Sequence, residues 1–197
     1  MKTHTTYARR ITMTALLSAI STLLMLIEFS IPIMPSFLKL DFSDVPALIA
    51  SFSMGPLSGV MVVFIKNLLN IFSSSTLGVG QLCNFIVGSA FVFTSGFIYS
   101  KNKTRKAALI AMLSGTLVMS VIAVFVNYYL IMPLYSLIIP MDSIINMCKA
   151  INPNVNSLVK AVIIFILPFN IIKGLIVCCI TFILYKKLSP VIKGYHV

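Results

Sequence analysis

VPALIASFSMGPLSGVMVVFIKNLLNIFS, residues 45–73, decides how many times this chain crosses a membrane. As one α-helix it would be roughly 43 Å long, too long for a single crossing of a ~30 Å hydrocarbon core. Gly55-Pro56 lies inside it. Proline removes a helical hydrogen bond and clashes with the preceding turn, and glycine frees the backbone to reverse. The stretch therefore reads as a short helix, 45–54, a tight turn, and a fuller helix, 56–73. Ten helical residues reach only ~15 Å. The short helix must be enclosed by protein, or be met by tilt or a thinned bilayer.

The membrane itself is implied by composition. Of 197 residues, 59% are hydrophobic and 10% charged, with a mean hydropathy of +1.04. Soluble domains carry about 25% charged residues, so a soluble fold could not hide this much apolar surface. The net charge of +11 would suggest nucleic acid in a soluble protein. Here no basic face interleaved with aromatics exists, and the cations flank apolar runs, as orientation signals do. Lys2, Arg9 and Arg10 precede the first run; Lys101, Lys103, Arg105 and Lys106 cluster in the middle; Lys186, Lys187 and Lys193 come after the last. The N-terminus has the charge and apolar run of a signal peptide but no small-residue cleavage site, and reads as an uncleaved first helix.

If all three basic groups are cytoplasmic, an even number of crossings separates each pair. Splitting 45–73 satisfies this. The expectation is an all-α polytopic membrane protein with both termini cytoplasmic. It is a single membrane domain, 1–197, of six transmembrane helices, at about 10–31, 45–54, 56–73, 82–100, 107–132 and 157–187, the second of them short. Residues 133–156 read as a polar, proline-containing external stretch, and Pro168 as a kink. A split of 157–187 at Pro168 into two spans is the alternative; it would put one basic group outside.

Given that topology, the strongly polar residues gather towards the outer half: Glu28, Lys39, Asp41, Asp44, Lys66, Asn67, Asn70, Gln81, Asn84, Asn127, Tyr128, Asn170 and Lys173. Isolated Asn or Gln side chains commonly tie helices together. Interhelical ties should be spread over depth, however, and a lysine deep in a span must face protein, water or ligand. The constellation predicts an outward-opening polar cavity. Near the inner end of helix 1, Ala15 and Ala19 lie four apart on one face, a smooth strip for ordinary packing or for close approach of another helix.

Several chemistries are excluded. No P-loop sequence occurs, GVGQLC at 78–83 lacks the third glycine and the βαβ context of a dinucleotide site, and no catalytic triad or H-E-x-x-H is present. Cys83, Cys148, Cys178 and Cys179 include no C-x-x-C pair and indicate neither metal nor disulfides. His4 and His196 stand at the two ends. The chain reads as a non-enzymatic capture protein without a metal, a cofactor or an energy source of its own.

The series LKLDFSDVPALIA, GPLSG, IKNLL, GVGQLCNFIVG, VNYYLIMPLY and ILPFNIIKG resembles the riboflavin-binding S components (RibU type) of energy-coupling factor (ECF) vitamin transporters, over most of the chain. The resemblance implies a multi-pass protein of a prokaryotic cell membrane. It would capture riboflavin from outside for ATP-driven uptake, with a transmembrane coupling subunit and two cytosolic ATPases as partners. It assigns coupling-subunit docking to Ala15 and Ala19, and ligand binding to Asn127, Asn170 and Lys173. Leu38, Leu40 and Phe42 become apolar cover from the first loop, with Gln81 and Asn84 as further candidates. Another flat vitamin, or flavin mononucleotide (FMN) as well as riboflavin, is the alternative ligand; Lys39 or Lys66 would then serve the phosphate. In LKLDFSDVPALIA, Ser43 or Asp44 can cap the short helix with Pro46 in its first turn. Asp41 either latches a lid against Lys66 or Lys173, or faces water.

Overall fold

The computed structural model describes residues 2–74 and 76–192, with side chains from Tyr7 to Leu184 apart from Ser75. Lys193 and His196 lie outside the described residues, and the side chains of Lys2, His4, Lys186 and Lys187 are likewise not described. The helix order is α1 (Lys2–Leu26), α2 (Asp44–Met54), α3 (Pro56–Asn70), α4 (Val79–Lys101), α5 (Arg105–Val126), α6 (Met132–Ser136), α7 (Met141–Ile151), α8 (Leu158–Ala161) and α9 (Leu167–Ile192). Five helical segments among the described residues are long and apolar enough to cross a membrane: Tyr7–Leu26, Pro56–Ser73, Val79–Lys101, Arg105–Ser136 and Leu158–Leu184.

α2 is the hub. It packs on α1, α3, α4 and α9, and nine of its residues, Asp44 to Phe52, are buried. A helix apolar all round belongs inside a protein, and here α2 is enclosed rather than bathed in lipid. Gly55 makes the turn to α3 at φ 104°, which a side chain would resist, and Pro56 takes the first turn of α3, where its missing N–H costs nothing. The close fit depends on absent side chains. A Cβ on Gly59 would lie 2.6 Å from Ser51 Cβ and 2.9 Å from the Ala47 carbonyl, and one on Gly96 would strike Ser51 Oγ. Ser51 Oγ then donates to the Val92 carbonyl at 2.7 Å, joining α2 to α4.

Four features depart from the sequence reading. The first helix runs from Lys2 to Leu26, rather than 10–31. Beyond Leu26 the chain leaves the helix and forms a two-stranded antiparallel ribbon, β1 (Phe29–Ser30) with β2 (Lys39–Leu40), in register Phe29↔Leu40 and Ser30↔Lys39. Pro32 and Pro35 in the connecting loop, and an exposed Lys39–Glu28 ion pair, favour this ribbon over another helical turn. Residues 133–156 are not simply irregular. They hold α7, whose Ile144 and Cys148, four apart, are buried, with Asp142 in the first turn and Lys149 in the last, as the helix dipole favours.

The fourth departure concerns the long segments after the basic cluster. Thr104 caps α5, its hydroxyl accepting from the Ala107 amide at 3.2 Å, and the segment runs through a π-helical turn, Asn127–Ile131, into α6. The last segment carries a second π turn, Val162–Ile166, between α8 and α9. Each π turn ends within two residues of a proline, Pro133 and Pro168. The missing proline N–H leaves a carbonyl one turn back without its usual partner, and the wider i→i+5 pattern absorbs the fault without breaking the helix.

Candidate functional site

A closed ring of buried polar groups stands where the first loop meets the bundle. Lys173 Nζ of α9 donates to Asp41 Oδ2 at 2.9 Å and lies 3.4 Å from Asp44 Oδ2. Asp44 Oδ1 accepts from Lys66 Nζ of α3 at 2.5 Å, and Lys66 also donates to Ser43 Oγ at 2.6 Å. Ser43 Oγ in turn donates to Asp41 Oδ1, which also accepts from the Ser43 amide at 2.8 Å. Two carboxylates and two ammoniums thus cancel in a site where Lys66 is fully enclosed. Unpaired, any one of these charges would be costly there. Burial alone would raise the Asp41 carboxyl, but Lys173 and Lys66 outweigh it and hold it well below the usual carboxylate range.

Asp41 is buried and paired rather than facing water, and its lysine is Lys173. The expected cap is different. Ser43 stands at the N-terminus of α2 without a side-chain capping bond, because its hydroxyl is engaged by Asp41 and Lys66. Asp44 serves the ring rather than a cap. The latched loop is secured further by Ser21 Oγ of α1, which donates to the Ser43 carbonyl.

Beside the ring is a cavity of about 120 Å³, or about 660 Å³ with its open mouth included. Its polar contributors are Asp44, Asn84, Asn127, Asn170, Lys173 and Lys39. Val87, Met119, Ile131, Ile166 and Phe169 form apolar walls, and Phe37 and Leu38 of the ribbon loop line it as well. Gly88 keeps the floor open: a Cβ there would come within 3.2 Å of Val63, 3.4 Å of Asp44 Oδ1 and 3.5 Å of Asn84 Oδ1. The Asn84 side-chain oxygen, Oδ1, is buried with no hydrogen-bond partner among the described residues, an acceptor left for a donor from outside the chain. Asn127 Nδ2 donates to the Ala123 carbonyl at 2.8 Å and Asn170 Nδ2 to the Ile166 carbonyl at 2.8 Å. Asn127 Nδ2 is also 3.5 Å from Cys83 Sγ.

The structure therefore gathers Leu38, Asn84, Asn127, Asn170 and Lys173 around one cavity. It does not bring Leu40, Phe42 or Gln81 there. Leu40 alternates inward from β2 into the core, and Phe42 stacks obliquely on Phe29 at 5.8 Å. Gln81 fastens the α3–α4 connection, accepting from Ser74 Oγ at 2.7 Å and donating to the Asn70 carbonyl at 3.4 Å. Asn67 and Asn70 turn their amides back onto α3. Lys39 and Lys66, the possible phosphate partners, are each already matched to an acid. Sequence reasoning missed Phe37, Gly88 and the ring role of Asp44. The unusual density of acid at 41–44 was the available signal for Asp44. Nothing local marks Gly88. Among the described residues no group of three or more His, Cys, Asp or Glu is placed to hold a metal ion.

Ala15 and Ala19 of α1 are exposed. Leu16, Ile20 and Leu23 beside them are exposed as well, so this face of α1 is left uncovered by the described residues.

Comparison with known proteins agrees with this architecture. Residues 9–185 match the family described as ECF transporter, substrate-specific component. The riboflavin transporter RibU of Staphylococcus aureus (strain TCH60) is 36% identical over 94% of this chain and 93% of its own. The riboflavin transporter FmnP of Bacillus subtilis (strain 168) is 36% identical over 92% of this chain and 93% of its own. A solved S component of a bacterial ECF transporter superposes with a TM-score of 0.76 at 34% identity, covering 95% of this chain and 99% of that one. These relatives are transport components rather than enzymes. The chain belongs to the family of ECF transporter substrate-specific components.

Proposed function

We propose that this protein captures riboflavin at the outer face of a prokaryotic cell membrane and presents it for ATP-driven uptake. The observation that carries the reading is the cavity in which Asn84, Asn127, Asn170 and Lys173 converge between apolar walls. Riboflavin pairs a flat apolar ring with a pyrimidine edge that both donates and accepts. Asparagine carbonyls and amides suit such an edge, the unpartnered Asn84 carbonyl offers an acceptor for a ring N–H, and Lys173 has donors for carbonyl or ribityl oxygens. Phe37 and Phe169 supply aromatic cover. The names of the S. aureus and B. subtilis relatives support the same ligand. The enclosed volume is below the 300–1,000 Å³ usual for small-molecule pockets, so Phe37 and Leu38 must swing aside for a tricyclic ring to enter.

In this reading the chain is a single membrane domain that crosses six times, its termini are cytoplasmic, and the pocket mouth opens outside. The exposed Ala15–Ala19 strip then faces the coupling subunit, which connects to two cytosolic ATPases. FMN is the weaker ligand in this reading, because every cation of the ring is neutralised and Lys39 is paired with Glu28. The test is direct. Purified protein titrated with riboflavin should show a shifted visible flavin spectrum and quenched fluorescence, with FMN binding more weakly. Absence of binding at micromolar riboflavin refutes the reading. Replacing Ala15 and Ala19 by leucine should leave riboflavin binding intact while abolishing uptake in cells that contain the coupling machinery.

A further inference from the structure

The two π turns touch each other, and beside them is an open groove of about 290 Å³ that shares no lining residue with the pocket. Its walls are Phe125, Tyr128 and Tyr129 from one segment and Val159, Val162 and Ile163 from the other. Phe125, Tyr129, Val159 and Ile163 are exposed among the described residues. Both segments are among those long and apolar enough to cross a membrane, so the groove opens towards hydrocarbon. An empty groove forfeits the dispersion contacts of its lining, and water gains nothing from apolar walls.

The pocket-mouth end of the groove is different. Tyr128 and Tyr129 stand edge to face with centroids 4.8 Å apart, amphipathic rings of the kind that settle at the membrane–water boundary. Lys160 comes directly after Val159 in the same helical turn; it is exposed and makes no ion pair among the described residues. Apolar walls below an interfacial tyrosine pair and an unmatched ammonium match the order of parts in an anionic phospholipid. We propose that this groove is a lipid site, holding an acyl chain of an anionic phospholipid whose headgroup phosphate pairs with Lys160. The lipid would back the π turn that begins at Asn127, against residues other than those that line the pocket. The proposal is independent of which ligand the pocket takes.

The test uses the full-length protein in nanodiscs of mixed phosphatidylglycerol and phosphatidylcholine, one or the other carrying a diazirine on its acyl chain. After irradiation, adducts are mapped by peptide mass spectrometry. Adducts at Phe125, Tyr129 and Ile163 should exceed those at the equally exposed Leu117, Val121 and Ile183 several-fold. At equal mole fraction, phosphatidylglycerol should label the groove at least threefold more than phosphatidylcholine. Lys160→Gln should bring that ratio close to one. Val159→Phe with Ile163→Phe should fill the groove and remove the enrichment at Phe125 and Tyr129. Uniform labelling of all exposed positions, equal labelling by the two lipids in the wild type, or a ratio untouched by Lys160→Gln would each overturn the proposal. Should the double phenylalanine variant not fold, Lys160→Gln alone decides.

Discussion

Asp41→Asn tests the latch with the least change of shape. Asparagine keeps a carbonyl that can accept from the Ser43 amide, as Asp41 Oδ1 does at 2.8 Å. It removes the charge that Lys173 meets at 2.9 Å. Lys173 is left with Asp44 at 3.4 Å, which Lys66 already engages at 2.5 Å. Breaking a buried ion pair from one side costs about 3–5 kcal/mol. The surviving Asp44 contact and the retained carbonyl place this case near the low end, about 3 kcal/mol. If the loop that carries Phe37 and Leu38 must release Lys173 before ligand escapes, the loss appears as a faster off-rate, roughly 100-fold for that energy. The on-rate should change far less, as is usual within one binding site. Stopped-flow recovery of riboflavin fluorescence on dilution measures the off-rate, and thermal denaturation in the same detergent measures the stability loss. An off-rate within twofold of wild type, with an unchanged melting temperature, would refute the latch.

Acid should act on the same contact. The Asp41 carboxyl titrates lower in the folded protein than the ordinary value of 3.8. Its stabilisation is therefore complete above that value and lost as pH falls below it towards the folded value. Melting temperature measured against pH should be flat from about pH 8 to 5 and decline below about 4. Gly59→Ala should cost about 1–3 kcal/mol by overpacking, read as a lowered melting temperature, because the new Cβ meets backbone at the Ala47 carbonyl. Glu28→Gln should change stability by less than about 1 kcal/mol, since that pair with Lys39 is exposed to solvent.

The turn at Gly55-Pro56 was legible because two residues with special backbones stood together in an apolar run. Lys173 was legible as a residue in need of a partner, because a charge at that depth has few alternatives. The identity of the partner was not, since Asp41 lies 132 positions away and only tertiary packing joins them. The ribbon escaped notice because its strands are two residues each, too short for any periodic signal. That ribbon also explains the misplaced cover residues: alternation along β2 turns Leu40 inward while Lys39 faces out. Gln81 looked like a pocket residue by depth, yet depth fixes only height along a helix, and the direction of a side chain around the axis decides what it meets. Gly88 shapes the cavity by lacking atoms, which no pattern of polar or apolar letters records. α7 was hidden by its polar residues and flanking prolines, although Ile144 and Cys148 carry a helical spacing.

The pairing within the charge ring also bears on how the chain enters its membrane. Asp44 and Lys66 lie 22 residues apart on either side of the Gly55 turn, so they emerge from the ribosome close together. They can neutralise one another as soon as the α2–α3 hairpin forms, and the hairpin then partitions as an uncharged unit. Lys173 is synthesised more than a hundred residues later, and until then the hydrogen bonds from Ser43 are Asp41's local partners. The order of synthesis thus divides the four charges into an early couple and a late one. The contacts within residues 21–43 can form early, whereas the Asp41–Lys173 pair must wait for the final helix.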